Sequence, residues 1–358
     1  MRLLITCNFI ALFSYAFAQT ATCSRELDRA EEAFDQGRLL DVINNTRFME
    51  CFNDFSKEEK IRANKLLTKT YIFTDNTVEA ERSLLKLLAV DPEHILARDD
   101  PSELHFLYSQ FKTEPIFRVG LRIGVNKSIP VVLQEFNTFP GGQKLYNQSG
   151  SNTGLGTGLT IEALIERHIK NGIEVVVGPQ LRTARYEVEG AFSGLQYLVK
   201  NQSQMLRIPL LGRYNWWYDR RDNENNRTKF IPYAFAGASF DFLLNAKYID
   251  TNRTGGTTFT LPESNSSLSS LDQVVTTNVS LLIGAGFKYR VSKVHFLTFE
   301  LRYDNALFNY INTDNRNANP VVISDIGHVE DDLTLNTISV TVGYTYSIYK
   351  PTKRKQYR

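Results

Sequence analysis

Cysteine, histidine, long apolar runs and an excess of either charge are what this 358-residue sequence is short of. It has three cysteines, five histidines, and 41 basic against 39 acidic residues. So even a charge balance leaves no electrostatic footprint for nucleic acid, which sets that partner aside. His94, His105, His168, His295 and His328 fall in no catalytic set: His168 reads as part of a short turn, and His295 lies on an apolar strand face. Beyond the first twenty residues no run approaches the length of about 18 apolar residues that a membrane-crossing helix needs. Apolar and charged contents of 42% and 22% are ordinary, so disorder is not the default.

The exception at the start, MRLLITCNFIALFSYAFAQT, joins a basic Arg2 to an apolar run and a small-residue Ala16-Phe17-Ala18 site. It reads as a secretory signal peptide, residues 1–18, cut before Gln19. Export leaves Cys23 and Cys51, for which a disulfide is the natural state in an oxidising compartment.

From residue 19 to 112 the pattern is helical, with almost no glycine or proline. Ala30, Ala33 and Phe34 repeat at helical spacing up to Gly37, and Leu39, Leu40, Val42 and Ile43 resume it. Ser56 followed by Glu59 is a capping box opening KEEKIRANKLLTKTYIF, and VEAERSLLKLLAV runs to Asp91-Pro92. These are two helical hairpins in series. Their motifs, A-x-x-A-F-x-x-G-R at Ala30–Arg38 and A-x-x-x-L-x-x-L-L-x-x-D-P at Ala80–Pro92, resemble tetratricopeptide-like repeats. A small helical bundle of another topology stays open beside that reading.

After Pro115 the period changes from 3.6 to 2. Phe117, Val119, Leu121, Ile123 and Val125 alternate with Arg118, Gly120, Arg122, Gly124 and Asn126, and the alternation returns until eight strands are counted, the last one carrying Ile338 to Tyr346. A soluble sandwich would alternate too. Three features favour a membrane barrel over residues 113–350: full charges at mid-strand on the polar face, connections that alternate between short and longer, and aromatic residues such as Tyr214, Trp216, Trp217, Tyr218, Tyr344 and Tyr346 near strand ends. The fold class is thus α+β in a membrane, an N-terminal helical hairpin domain followed by an eight-stranded antiparallel transmembrane β-barrel, with a basic tail at 351–358. Across its lumen Arg118, Arg122, Arg182, Arg207, Arg213, Lys288 and Arg302 are expected to pair with Glu162, Glu174, Asp241, Glu300 and Asp304. Pro209 removes a ladder donor in mid-strand, which predicts a bulge or a local break in pairing.

LRIPLLGRY (Leu206–Tyr214), PYAFAGASFDFLL (Pro232–Leu244), IGAGFKYR (Ile283–Arg290) and FELRYDNALFN (Phe299–Asn309) together resemble the PorT-type outer-membrane β-barrel family of gram-negative bacteria. The resemblance implies an eight-stranded barrel in the outer membrane, no catalytic motif, and, for some relatives, association with assembly of a type IX secretion machine. The helical half is a departure from the plain family pattern.

No chemistry competes with that reading. The acids Asp325, Glu330, Asp331 and Asp332 in 325-DIGHVEDD-332 match no metal-loop spacing and read as a solvated loop. The glycines of 154-GLGTG-158 lie in a strand and open no helix, so they are no phosphate loop. The expected function is therefore non-enzymatic, without cofactor or metal. A barrel held in outer-membrane lipid anchors a periplasmic helical module and serves as scaffold or accessory subunit of a secretion or outer-membrane assembly complex, with periplasmic or outer-membrane proteins as partners. The alternative is a small porin or ligand-binding barrel. A membrane-embedded hydrolase lacks its nucleophile and base.

Overall fold

The computed structural model describes residues 22–138, 141–147, 157–170, 172–192, 194–217, 221–223, 226–254 and 266–354. The signal peptide expected at 1–18 lies outside the described residues, as do Leu155, Gly156 and Tyr218 of the strand and girdle readings. The chain divides into a helical unit, Met1–Ile116 with Tyr349–Arg358, and a barrel unit, Phe117–Asn223 with Arg227–Ile348.

The helical unit contains α1 (22–35), α2 (Leu39–Ile43), α3 (Thr46–Glu50), α4 (Lys57–Phe73), α5 (Thr77–Val90) and α6 (Ser102–Ser109). Ser56 and Glu59 form the capping box at the start of α4, each side chain accepting from the other's backbone N–H and so satisfying two donors that the first turn leaves open. Contacts between α1 and α4 advance in the same direction along both helices: Ser24 Oγ to Glu59, Arg62 to Asp28 and Glu31, then Phe34 against Phe73 with centroids 6.0 Å apart. The helix that resumes at Leu39 is split in two, because Asn45 leaves helical geometry to cap α3, accepting from Phe48 N–H at 3.0 Å. Cys23 in α1 and Cys51 just after α3 are bonded, which closes this half-formed hairpin covalently. One core gathers Leu27, Ala30, Phe48, Phe55 and Leu66; a second gathers Ala80, Leu84, Leu87, Leu88, Leu107 and Phe111. At the unit's edge β1 (Phe111–Lys112) pairs with β14 (Thr352–Lys353) of the C-terminal tail.

The barrel strands are β2 (Pro115–Gln134), β3 (Gln143–Asn147), β4 (Thr157–Lys170), β5 (Ile173–Val177), β6 (Gln180–Phe192), β7 (Leu195–Asn215), β8 (Arg221–Asn223), β9 (Asn226–Arg227), β10 (Phe230–Thr254), β11 (Thr277–Arg290), β12 (His295–Ala306) and β13 (Asp332–Tyr349). β5 and β6 are one stave interrupted at Gly178-Pro179, and with that join the ring of eight antiparallel staves runs β2, β4, β5/β6, β7, β10, β11, β12, β13 and back to β2. β3 adds to the C-terminal part of β6, and β8 with β9 form a small ribbon between β7 and β10. Leu121, Ile123, Leu159, Leu181, Ile208, Leu210, Phe240, Ile283, Leu301 and Val340 point outward and are exposed, while their neighbours in sequence point into the ring.

One expectation about the strands needs correction, and the one made for Pro209 is met in its second form, a local break in pairing. β7 and β10 are 21 and 25 residues long, whereas about 9–11 suffice to cross a bilayer, so the chain just before Leu206 and just after Asn245, which reads in the sequence as connection between strands, is strand that continues beyond it. At Pro209 there is no bulge. Its pairing with Ser239 of β10 is regular, and register is kept on the other side from Val177↔Leu210 to Gln180↔Arg207. Only the ladder is interrupted there, opposite Gly178 and Pro179, so two residues without a backbone donor share one gap.

Candidate functional site

A ring of eight strands is narrow, so charges facing inward are stripped of water and must find partners across the lumen. Each charge expected to line the lumen is buried. Near the end where the chain enters and leaves the ring, Glu166 lies 2.5 Å from Arg213, 2.7 Å from Lys288, 3.4 Å from Arg122 and 3.9 Å from Arg118. Glu174 binds Arg118, Lys288 at 2.6 Å and Arg213 at 3.6 Å. Glu300 joins Arg302 at 2.6 Å, Arg122 at 3.2 Å and Arg213 at 3.5 Å, and accepts from Tyr233 Oη at 3.1 Å. Arg302 continues to Glu162 at 3.3 Å. A second group follows toward the loop end: Arg207 holds Asp241 at 2.7 Å and Asp304 at 2.5 Å, and Arg182 shares Asp304 at 3.0 Å.

Aromatic rings complete the filling. The Arg213 guanidinium lies 4.3 Å from the Tyr233 ring centre, and Arg302 5.5 Å from that of Phe235. Both rings need the bare backbone of the next strand: a Cβ on Gly284 would come within 2.3 Å of Phe235, and one on Gly286 within 2.9 Å of Tyr233. The cavity bounded by Arg182, Met205, Asp241, Ala306, Tyr310 and Leu335 measures about 20 Å³, room for about one water.

Glu166 is the residue the sequence reading left out, although it touches more of the lumen cations than any other acid described above. The signal was available. Glu162 and Glu166 share a strand face by period 2, and the alternation in β4 persists to His168.

Above the charged lumen the inner surface turns apolar. Tyr186, Tyr197, Val199, Met205, Tyr248, Leu268, Val274, Tyr310, Ile326 and Leu333 form one buried cluster that closes the loop end. The segment 325–332 is set into it, and the solvated acidic loop expected there is not what forms: Glu330 and Asp331 are 1% and 0% exposed. Asp331 accepts from Phe136 N–H at 2.6 Å, Lys144 Nζ at 2.7 Å and Tyr146 Oη at 2.6 Å. Glu330 accepts from Tyr248 Oη at 2.9 Å and lies 3.2 Å from His328 Nε2. Burial pushes the Glu330 carboxyl up, but the His328 imidazole, the Tyr248 hydroxyl and Lys144 outweigh it and hold it below its ordinary value. Among the described residues no group of acids, histidines and cysteines is placed to hold a metal ion. A groove of about 700 Å³ lies alongside, lined by Glu135, Gln143, Leu145, Glu189, Gln196 and Tyr197 among others.

The family described as "Outer membrane protein beta-barrel domain" matches residues 108–312. No curated protein matches. Among solved structures the chain is similar to Neisserial surface protein A, at 16% identity over 65% of this chain and 97% of that one, with a TM-score of 0.32. It is also similar to Ail, the attachment invasion locus protein of Yersinia pestis, at 13% identity over 64% and 99% with a TM-score of 0.26. A third, the outer membrane protein AlkL, is 12% identical over 71% and 98% with a TM-score of 0.25.

Proposed function

The chain belongs to the outer membrane protein β-barrel domain family, and from that premise we propose that its barrel is a closed anchor that holds the helical unit in the periplasm as an interaction module of an envelope protein-secretion or assembly complex. The observation that carries this reading is the filled lumen. Guanidinium groups, carboxylates and aromatic rings pack it from Arg118 and Glu174 near the chain-entry end to Arg182 and Asp241 nearer the loops, which favours an anchor over a conduit. The reading of residues 1–18 as a signal peptide and the bonded cysteine pair support a periplasmic helical unit, and paired helices offer grooves to a partner helix or extended peptide. The PorT-type resemblance of Leu206–Leu244 supports a secretion complex as the setting.

Crosslinking in cells followed by isolation of the intact protein tests the proposal. A stable envelope partner bound through residues 22–112 is the expected result; recovery of the barrel alone overturns it. In planar bilayers the protein should show no steady conductance.

A second reading, a ligand-binding barrel, is favoured by the groove beside Tyr197, whose carboxylates and carboxamides suit a hydroxyl-rich or cationic ligand. Saturable binding of such a ligand, abolished by Glu189→Ala, would support it.

A further inference from the structure

The C-terminal tail is part of the helical unit, where it is held as a strand. β14 runs antiparallel to β1, with Lys353 opposite Phe111 and Thr352 opposite Lys112, and Arg354 N–H donates to the Gln110 carbonyl at 2.7 Å. Two acids of the unit receive the same segment: Lys353 Nζ reaches Glu81 of α5, and Tyr349 Oη donates to Glu93 at 2.7 Å. The two sides of this ribbon are unequal. Phe111 is buried with Leu84, Leu87 and Leu107, so β1 is fixed to the helices, whereas Thr352, Lys353 and Arg354 are exposed.

A fixed strand edge flanked by carboxylates has the chemistry of a strand-addition site: backbone hydrogen bonds supply affinity, and the neighbouring acids select basic side chains. The tail suits it, with Lys350, Lys353, Arg354, Lys355 and Arg358 in its last nine residues. Its hold is light, since the Lys353–Glu81 pair is open to water and screened by salt.

We infer that the Phe111–Lys112 edge is a docking site for an extended basic segment of a partner protein, and that the chain's own tail is its resident, displaceable occupant. This rests on the reading of the helical unit as an interaction module. Tethering gives the tail an effective concentration on the order of 1 mM, so a segment that binds in trans at about 100 µM is held back about tenfold.

The probe is a labelled peptide of the tail itself, PTKRKQYR, titrated by fluorescence anisotropy against two detergent-solubilised proteins, the full chain and a chain ending at Lys350. Saturable binding to the shortened chain, about tenfold weaker binding to the full chain, and binding weakened several-fold in the shortened chain carrying Glu81→Lys are the expected results. Absence of binding to a folded shortened chain, or equal binding to both, overturns the inference. Hydrogen exchange on the full chain stands if the shortened one does not fold. The Arg354 amide should be protected and should exchange several-fold faster in Glu81→Lys; an amide unprotected in the parent chain overturns the inference too. Peptide binding without any envelope partner in cells would remove the scaffold reading alone, and a recovered partner without peptide binding would remove the docking site alone.

Discussion

One strand, β7, passes through two solvents and changes character between them. From Leu206 to Asn215 it turns Leu206, Ile208, Leu210 and Tyr214 outward and Arg207 and Arg213 inward. From Leu195 to Met205 it does the reverse, with Tyr197, Val199 and Met205 buried and Lys200, Gln202 and Gln204 outward. The β7 backbone runs unbroken across the change, and its register with β6 is kept from Gln180↔Arg207 to Phe192↔Leu195. What differs is what lies outside. Beside hydrocarbon an apolar side chain gains nothing by hiding and a charge must be internal, while beside water ordinary burial returns. The pleat is indifferent, so the surroundings decide which face is the core.

The sharpest way to break this contrast is to unbalance the inverted part. Glu166→Ala leaves Arg213, Lys288 and Arg122 short of their common acid and should cost about 3–5 kcal/mol, read by urea unfolding in lipid vesicles. A loss below about 1 kcal/mol would mean that the lumen is wet enough to solvate its cations. The outer surface offers the next test. Leu210→Arg should cost about 2–4 kcal/mol in the same assay and Gln204→Arg, beyond the apolar band, about 0–1, so equal effects would erase the boundary drawn here.

In the loop end the pattern is that of a soluble core with one buried ion pair. Asp331→Asn keeps the shape but removes the charge that Lys144 faces, and should cost about 1–3 kcal/mol, confined to faster proteolysis around residues 135–147 with the membrane staves unaffected. The smallest effect is one of pH. Because the folded Glu330 carboxyl sits below its ordinary value, its contribution is fully present above the ordinary value of 4.5 and is lost as pH falls from there through the folded value. Loop-end hydrogen exchange should therefore quicken on acidification below about pH 4.5 in the parent protein and lose that response in Glu330→Gln.

The inverted staves were legible because period 2 is a local property: the alternation from Phe117 to Asn126, or from Val279 to Lys288, needs no knowledge of the partner strand. Parity also held the missing acid, Glu166, within reach. The upper extensions were hidden for a definite reason. Register shifts between Leu243 and Asn245, and between Tyr248 and Asp250, each move the chain to the other face, so the alternation in β10 dissolves where the strand does not. The acids of 325–332 misled for another reason, since Lys144, which neutralises Asp331, is 187 positions away. A linear reading sees four acids in a loop and assigns them to water. The split between α2 and α3 turns on Asn45 acting as a cap, which the run of apolar residues around it masked.

The ring closes by pairing its first stave, β2, with its last, β13. Entry and exit of the chain are thereby adjacent in the wall, at the same end. In engineering terms the barrel is a cassette whose covalent inlet and outlet are neighbours in the wall. A circular permutant opened between Arg290 and His295, with the helical unit carried in mid-chain, would preserve every stave of the wall.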